Sequence, residues 1–89
     1  MDIWKKAVLS SLESCGGEAR YEEVCKGVDP FITLTEDDTK ESSPGLAAFW
    51  IRVKLILRQL IESGDVQEIE PRFFVLTKQG RRRLAADDF

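Results

Sequence analysis

Histidine is absent from this chain of 89 residues. That absence removes the commonest general base near neutral pH. Cysteine occurs twice, at Cys15 and Cys25, and not in a Cys-x-x-Cys pair. A structural zinc site would therefore lack its usual ligands, and in a reducing compartment two free thiols are expected rather than a disulfide. The longest apolar run, Leu46 to Ile51, is far too short to span a bilayer. The start, Met1-Asp2-Ile3-Trp4-Lys5-Lys6, lacks a basic leader followed by an apolar segment, so a cytoplasmic protein is expected. The chain also lacks a phosphate-cradling glycine motif, a nucleophile elbow and any metal-ligand spacing. No enzyme activity, cofactor or metal is expected. The acids Glu36, Asp37, Asp38 and Glu41 are read as solvating a loop rather than binding a cation.

What is present fits one domain over 1–89, with 30–43 as a loose connecting segment. The chain carries 13 Lys+Arg against 16 Asp+Glu, for a net charge of −3. The total is acidic, but the distribution is not uniform. Residues 1–43 hold five bases against ten acids, and residues 44–89 hold eight bases against six acids. For a polyanionic partner, that local excess matters more than the sum.

Hydrophobic periodicity predicts a first helix over Asp2–Ser14, with Trp4, Val8 and Leu12 on its buried side and Ile3, Ala7 and Ser11 beside them. Gly16-Gly17 ends it, and Glu18-Ala19-Arg20 has room for a short strand. Tyr21–Gly27 reads as a second helix burying Tyr21, Val24, Cys25 and Val28, and Asp29-Pro30 stops it. Thr35-Glu36-Asp37-Asp38 has the composition of a helix start. Phe31, Ile32 and Leu34 are expected to anchor that segment. Ser43-Pro44 then reads as cap and first helical position of a long helix over 44–63, closed by Gly64. Its core face is Phe49, Val53, Ile56, Leu57 and Leu60, with Leu46 alongside. Val66–Ile69 and Phe73–Leu76 read as a hairpin around Glu70-Pro71-Arg72. Thr77 caps a last helix, with Leu84 and Ala85 turned inward. The fold class is mainly α (α+β): a helical core with a small C-terminal β-hairpin.

Phe49-Trp50-Ile51-Arg52-Val53, Leu60-Ile61-Glu62-Ser63-Gly64-Asp65-Val66 and Leu76-Thr77-Lys78-Gln79-Gly80-Arg81 resemble winged helix-turn-helix domains of prokaryotic DNA-binding proteins, in particular the N-terminal domain of the Mrr restriction proteins. The likeness covers the second half of the chain. It stops where the nuclease domain of those proteins would begin, so no catalytic residue is carried over. The resemblance implies a DNA-binding winged helix, a regulator or the targeting module of a restriction-like system. Double-stranded DNA is then the expected partner, with helix 44–63 in the major groove and the wing 66–76 on the backbone. The DNA-binding candidates are Arg52, Lys54, Arg58 and Gln59 on the helix, Arg72 at the ribbon tip, and Lys78, Arg81, Arg82 and Arg83 beyond it. Arginine and glutamine suit base edges, and arginine's planar fork suits phosphate.

A competing signal lies on the same helix. Ala48, Ile51 and Leu55 are spaced by three and four on the arc that would face the groove. A second apolar stripe implies a partner surface, and a homodimer or another protein docking there is the alternative function. A fold-back of the Phe31–Leu34 segment over that stripe is the third option.

Overall fold

The N-terminal periodicity becomes helix α1, Ile3–Ser14, in a computed structural model that describes residues 3–33, 41–43 and 46–87. Ala7, Val8, Leu9, Ser11 and Leu12 are buried along it. Ile3, expected among them, is exposed because it sits in the first turn at the edge of that arc. Ser11 enters the core without penalty because its hydroxyl donates to the Val24 carbonyl oxygen at 2.9 Å. Gly16 and Gly17 both take the left-handed conformation, and the Gly17 N–H returns to the Leu12 oxygen at 2.9 Å, closing the helix.

Strand β1, Glu18–Arg20, leads directly into α2, Tyr21–Gly27. Tyr21, Val24 and Cys25 are the buried side of α2, with Val28 just after it. A 3-10 turn over Asp29–Phe31 follows where proline ends the helix. Ile32 packs on the core, whereas Phe31, expected to anchor the segment with it, is 45% exposed and not among the described residues packed there. Leu34 and the expected helix start at Thr35 lie outside the described residues, as does Asp2.

The long helix begins later than its sequence signals predict. Strands β2, Glu41–Ser43, and β3, Leu46–Ala47, pair antiparallel with Ser43 opposite Leu46. Helix α3 starts only at Ala48 and runs to Ser63 without a break. The expected first helical residues Pro44 and Gly45 lie outside the described residues, and Leu46 and Ala47, expected in the helix, are held in the strand pair instead. Val53, Ile56, Leu57 and Leu60 form the buried face of α3, and Phe49 packs half-buried beside them. Gly64 turns left-handed at the end, and the Asp65 N–H returns to the Leu60 oxygen at 2.9 Å.

Strands β4, Val66–Glu70, and β5, Phe73–Leu76, form the expected hairpin. They do not stand alone, because β1 pairs antiparallel with β5. The result is a three-stranded sheet of order β1-β5-β4. Helix α4, Lys78–Ala86, is capped by Thr77, whose hydroxyl accepts from the Gly80 N–H at 3.1 Å. Leu84 packs against the core, but Ala85 is exposed. Helix α1 touches α2, α3, α4 and β5, so the core gathers around it. Its largest fully buried members include Leu9, Leu12, Leu57 and Leu60. Each such side chain contributes about 1.5–3 kcal/mol relative to exposure. The fold is thus mainly helical, with a small three-stranded antiparallel sheet and a separate two-stranded pair among the described residues. Among the described residues no helix is long and apolar enough to cross a membrane.

Candidate nucleic-acid interface

Because α3 buries one face, the order of residues around it decides what its other faces can do. Val53, Ile56, Leu57 and Leu60 point inward. At about 100° per residue, the opposite arc carries Ile51, Leu55, Arg58 and Glu62. Lys54 lies on the flank toward Leu57, while Arg52 and Gln59 lie on the flank toward Ile56. The exposed arc is therefore apolar over its first turns, with a polar edge on either side.

The Lys54 edge opens on the ribbon. Lys54, Leu57, Arg58 and Ile61 of α3 line a cleft with Tyr21, Glu68, Phe74 and Arg72, and its volume is about 110 Å³. Three cations from two elements thus share one depression with a single carboxylate. Among the described residues Lys54 and Arg58 form no ion pair, although Glu62 follows Arg58 by four residues on the same helix.

Arg72 is the most constrained of the three. Its φ of 64° is left-handed, at a turn position where glycine or asparagine is the usual choice. Its N–H donates to Glu68 Oε2 at 3.0 Å, and its carbonyl accepts from the Tyr21 N–H at 2.9 Å. The guanidinium lies 5.8 Å from the centre of the Tyr21 ring and 3.8 Å from a Glu22 oxygen. That ion pair is exposed and adds little. Tyr21 is itself fixed, since its hydroxyl donates to the Trp50 carbonyl and its ring meets Trp50 edge-on at 5.9 Å. Burial pushes the Tyr21 phenol above its ordinary range, and burial pushes the neighbouring Cys25 thiol up to about 12. Both stay neutral, so the charge of the cleft is that of its lysine, arginines and glutamate.

On the other edge, Arg52 stacks 5.0 Å from the centre of the Trp4 ring on α1. Gln59, two turns further on, is exposed.

The four C-terminal cations do not continue either edge as a unit. Arg83 reaches back to Asp65, which is fully buried. Asp65 also accepts from the Ser63 hydroxyl at 2.7 Å and the Gln79 amide at 3.1 Å. Burial raises the Asp65 carboxyl, and the hydrogen bonds from Ser63, Gln79 and Arg83 with the Arg83 charge outweigh it, leaving its pKa below the ordinary value. Arg81 lies against Gly17, in the space a Cβ there would take. Lys78 and Arg82 are exposed. In sequence, Arg81-Arg82-Arg83 lie close enough to a helix start to oppose its dipole and ask for an anion. Helix α4 is only nine residues long, however, and Arg83 falls in its last turn, where a cation is favoured.

Ile51 and Leu55 are 42% and 55% exposed, and Ala48 is half-buried. Sequence reasoning did not find Tyr21 and Glu68 as cleft residues, nor Trp4 as the support of Arg52. Tyr21 carries the signature of a core aromatic, and Glu68 that of a strand's solvent side. The one available signal is the four-residue spacing of Glu68 and Arg72 across a proline turn. No family model, curated protein or solved structure matches this chain.

Proposed function

We propose that this protein is a DNA-binding winged helix, with α3 as the helix offered to the major groove and the β4–β5 ribbon as the wing. The element order α1-β1-α2-β2-β3-α3-β4-β5-α4 and the sheet order β1-β5-β4 support it. The observation that carries it is the convergence of Lys54, Arg58 and Arg72 on one cleft, with Arg52 and Gln59 across the exposed arc. Two cationic edges on one helix suit the two phosphate backbones that border a groove. Lys78, Arg81 and Arg82 add charge at a distance, while Arg83 serves the fold. A regulator or the targeting module of a restriction-like system, in a prokaryotic cytoplasm, is the setting this reading implies.

The test is titration against duplex DNA at several salt concentrations. Affinity should fall linearly with the logarithm of salt, by about 0.9 in slope per phosphate neutralised. Replacing Lys54, Arg58 and Arg72 together by glutamine should lower that slope by roughly one for each cation removed. Affinity indifferent to salt, or unchanged in the triple variant, counts decisively against the proposal.

The second reading is self-association through Ala48, Ile51 and Leu55, and the exposure of Ile51 and Leu55 favours it. Sedimentation of the wild type and of Ile51→Glu decides that one. A wild type that stays monomeric at high concentration removes its support.

A further inference from the structure

The outer arc of α3 poses a problem for the DNA reading that its edges do not. Ile51 and Leu55 are 42% and 55% exposed where a groove-facing helix would be expected to carry polar side chains. Ala48, Ile51 and Leu55 fall within about 60° of one another, over about 10 Å of helix. That length corresponds to roughly three base-pair steps of about 3.4 Å. The stripe is bordered by Lys54 and Arg58 on the ribbon side and by Arg52 and Gln59 on the α1 side. Beyond it, one more helical turn brings Glu62, an acid that phosphate would not tolerate close by. A partner for this surface must be apolar along a narrow centre line and anionic on both flanks.

A second copy of this chain does not meet that description, because an identical stripe would bring the same cationic edges with it. The major groove does. Its floor offers one apolar group, the C5-methyl of thymine, and phosphates flank it on both sides. Resting on the winged-helix reading above, we infer that Ile51 and Leu55 are specificity residues that read thymine methyl groups in the major groove. Lys54, Arg58 and Arg52 then set the helix in register on the backbones, and the preference extends over about three consecutive base pairs. Glutamine at 59 provides the hydrogen-bonding partner next to the stripe, with its amide suited to the adenine edge.

The experiment compares two duplexes of one thymine-rich sequence, the second carrying deoxyuridine in place of every thymidine. Only the C5-methyl is lost, and the donors and acceptors of the groove are unchanged. The wild type is expected to bind the uracil duplex about fourfold more weakly for each methyl it buries. Ile51→Ser and Leu55→Ser should each weaken binding to the thymine duplex and leave the uracil duplex nearly unaffected, because both side chains are exposed and their loss spares the core. Melting curves of both variants should overlay the wild type. Equal affinity of the wild type for the two duplexes, with the salt slope intact, overturns the methyl reading and leaves the DNA reading standing. A thymine preference that survives undiminished in both Ile51→Ser and Leu55→Ser likewise overturns the methyl reading alone. Loss of salt-dependent binding to both duplexes overturns both readings. A wild-type dimer that Leu55→Ser dissociates assigns the stripe to a second copy and overturns the inference too.

Discussion

Two arginines eleven residues apart, Arg72 and Arg83, live under opposite conditions in this fold. Arg83 is 29% exposed and clasps the buried Asp65, so its charge is consumed by architecture. Arg72 is 69% exposed, perched on a left-handed turn, with its guanidinium 3.8 Å from the exposed Glu22 carboxylate. The α4 latch and the α3–ribbon cleft are built from the same residue type in the same basic half of the chain. Partner and burial separate them, and composition does not. A cation whose carboxylate is buried with it is part of the fold, whereas cations gathered without such a partner are available to a ligand.

The strongest way to break that comparison is at Asp65. Asp65→Ala removes the buried carboxylate that the Arg83 guanidinium clasps and one of the two acceptors of the Gln79 amide and of the Ser63 hydroxyl. Removing one member of a buried pair costs about 3–5 kcal/mol, and the partial exposure of Arg83 points to the lower end. For a chain of this size that is a loss of more than about 10 °C in melting temperature. The affinity of the remaining folded protein for DNA should not change. Acid should reproduce part of this effect. The Asp65 carboxyl sits below its ordinary pKa of about 3.9 in the folded state, so its contribution is complete above that value and is lost as pH falls through the lower folded one. The stability gap between the wild type and Asp65→Asn should therefore be widest above about pH 4 and narrow below it, as followed by thermal melts across pH 2–6. A gap that widens in acid would reverse the assignment.

Next in size is Gly80. Its Cβ, if present, would run into the backbone oxygen of Asp65 and the Leu76 side chain. Backbone cannot give way as a flexible side chain can, so Gly80→Ala should cost about 1–3 kcal/mol. Urea unfolding measures it directly. A neutral result would mean that α4 slides on the β4 turn, and the latch would then be looser than its hydrogen bonds imply.

Much of this layout is legible in the sequence, and the failures have physical causes. The core faces of α2 and α3 follow from periodicity, because Val24, Val53, Leu57 and Leu60 each have one consistent side to bury. The ribbon and the Thr77 cap follow from local chemistry. What sequence could not decide was competition between two valid local signals, as at Ser43-Pro44-Gly45, where a helix start and a turn overlap. Nor could it pair residues that meet only through the fold. Arg83 and Asp65 are eighteen positions apart, and in sequence Asp65 resembles any acid after a helix-ending glycine. The third strand was legible only as a short strand at Glu18-Ala19-Arg20, and its pairing with β5 was not, because three residues carry almost no periodicity that could choose a partner. For the site, the cations were visible as a set, but their division into a cleft, an opposite edge and a latch was not.

The smallest expected change in stability tests the other side of the comparison. A non-glycine residue in the left-handed region costs about 1–2 kcal/mol. Arg72→Gly removes that cost at a φ of 64° but adds about 0.5–1 kcal/mol of backbone entropy in the unfolded chain. It also gives up the contact with the Tyr21 face, worth about 0.5–1 kcal/mol at an exposed site. These terms nearly cancel, so the melting temperature should move by only a few degrees. On the proposed DNA reading, the salt slope of binding should nevertheless fall by about one, for the one cation removed. Arginine at this turn thus gives the backbone nothing that glycine would not, and what it adds is the charge it holds at the ribbon tip. If Arg72→Gly instead melted as early as Asp65→Ala, the ribbon-tip arginine would belong to the architecture, and the cleft would keep only Lys54 and Arg58 for a ligand.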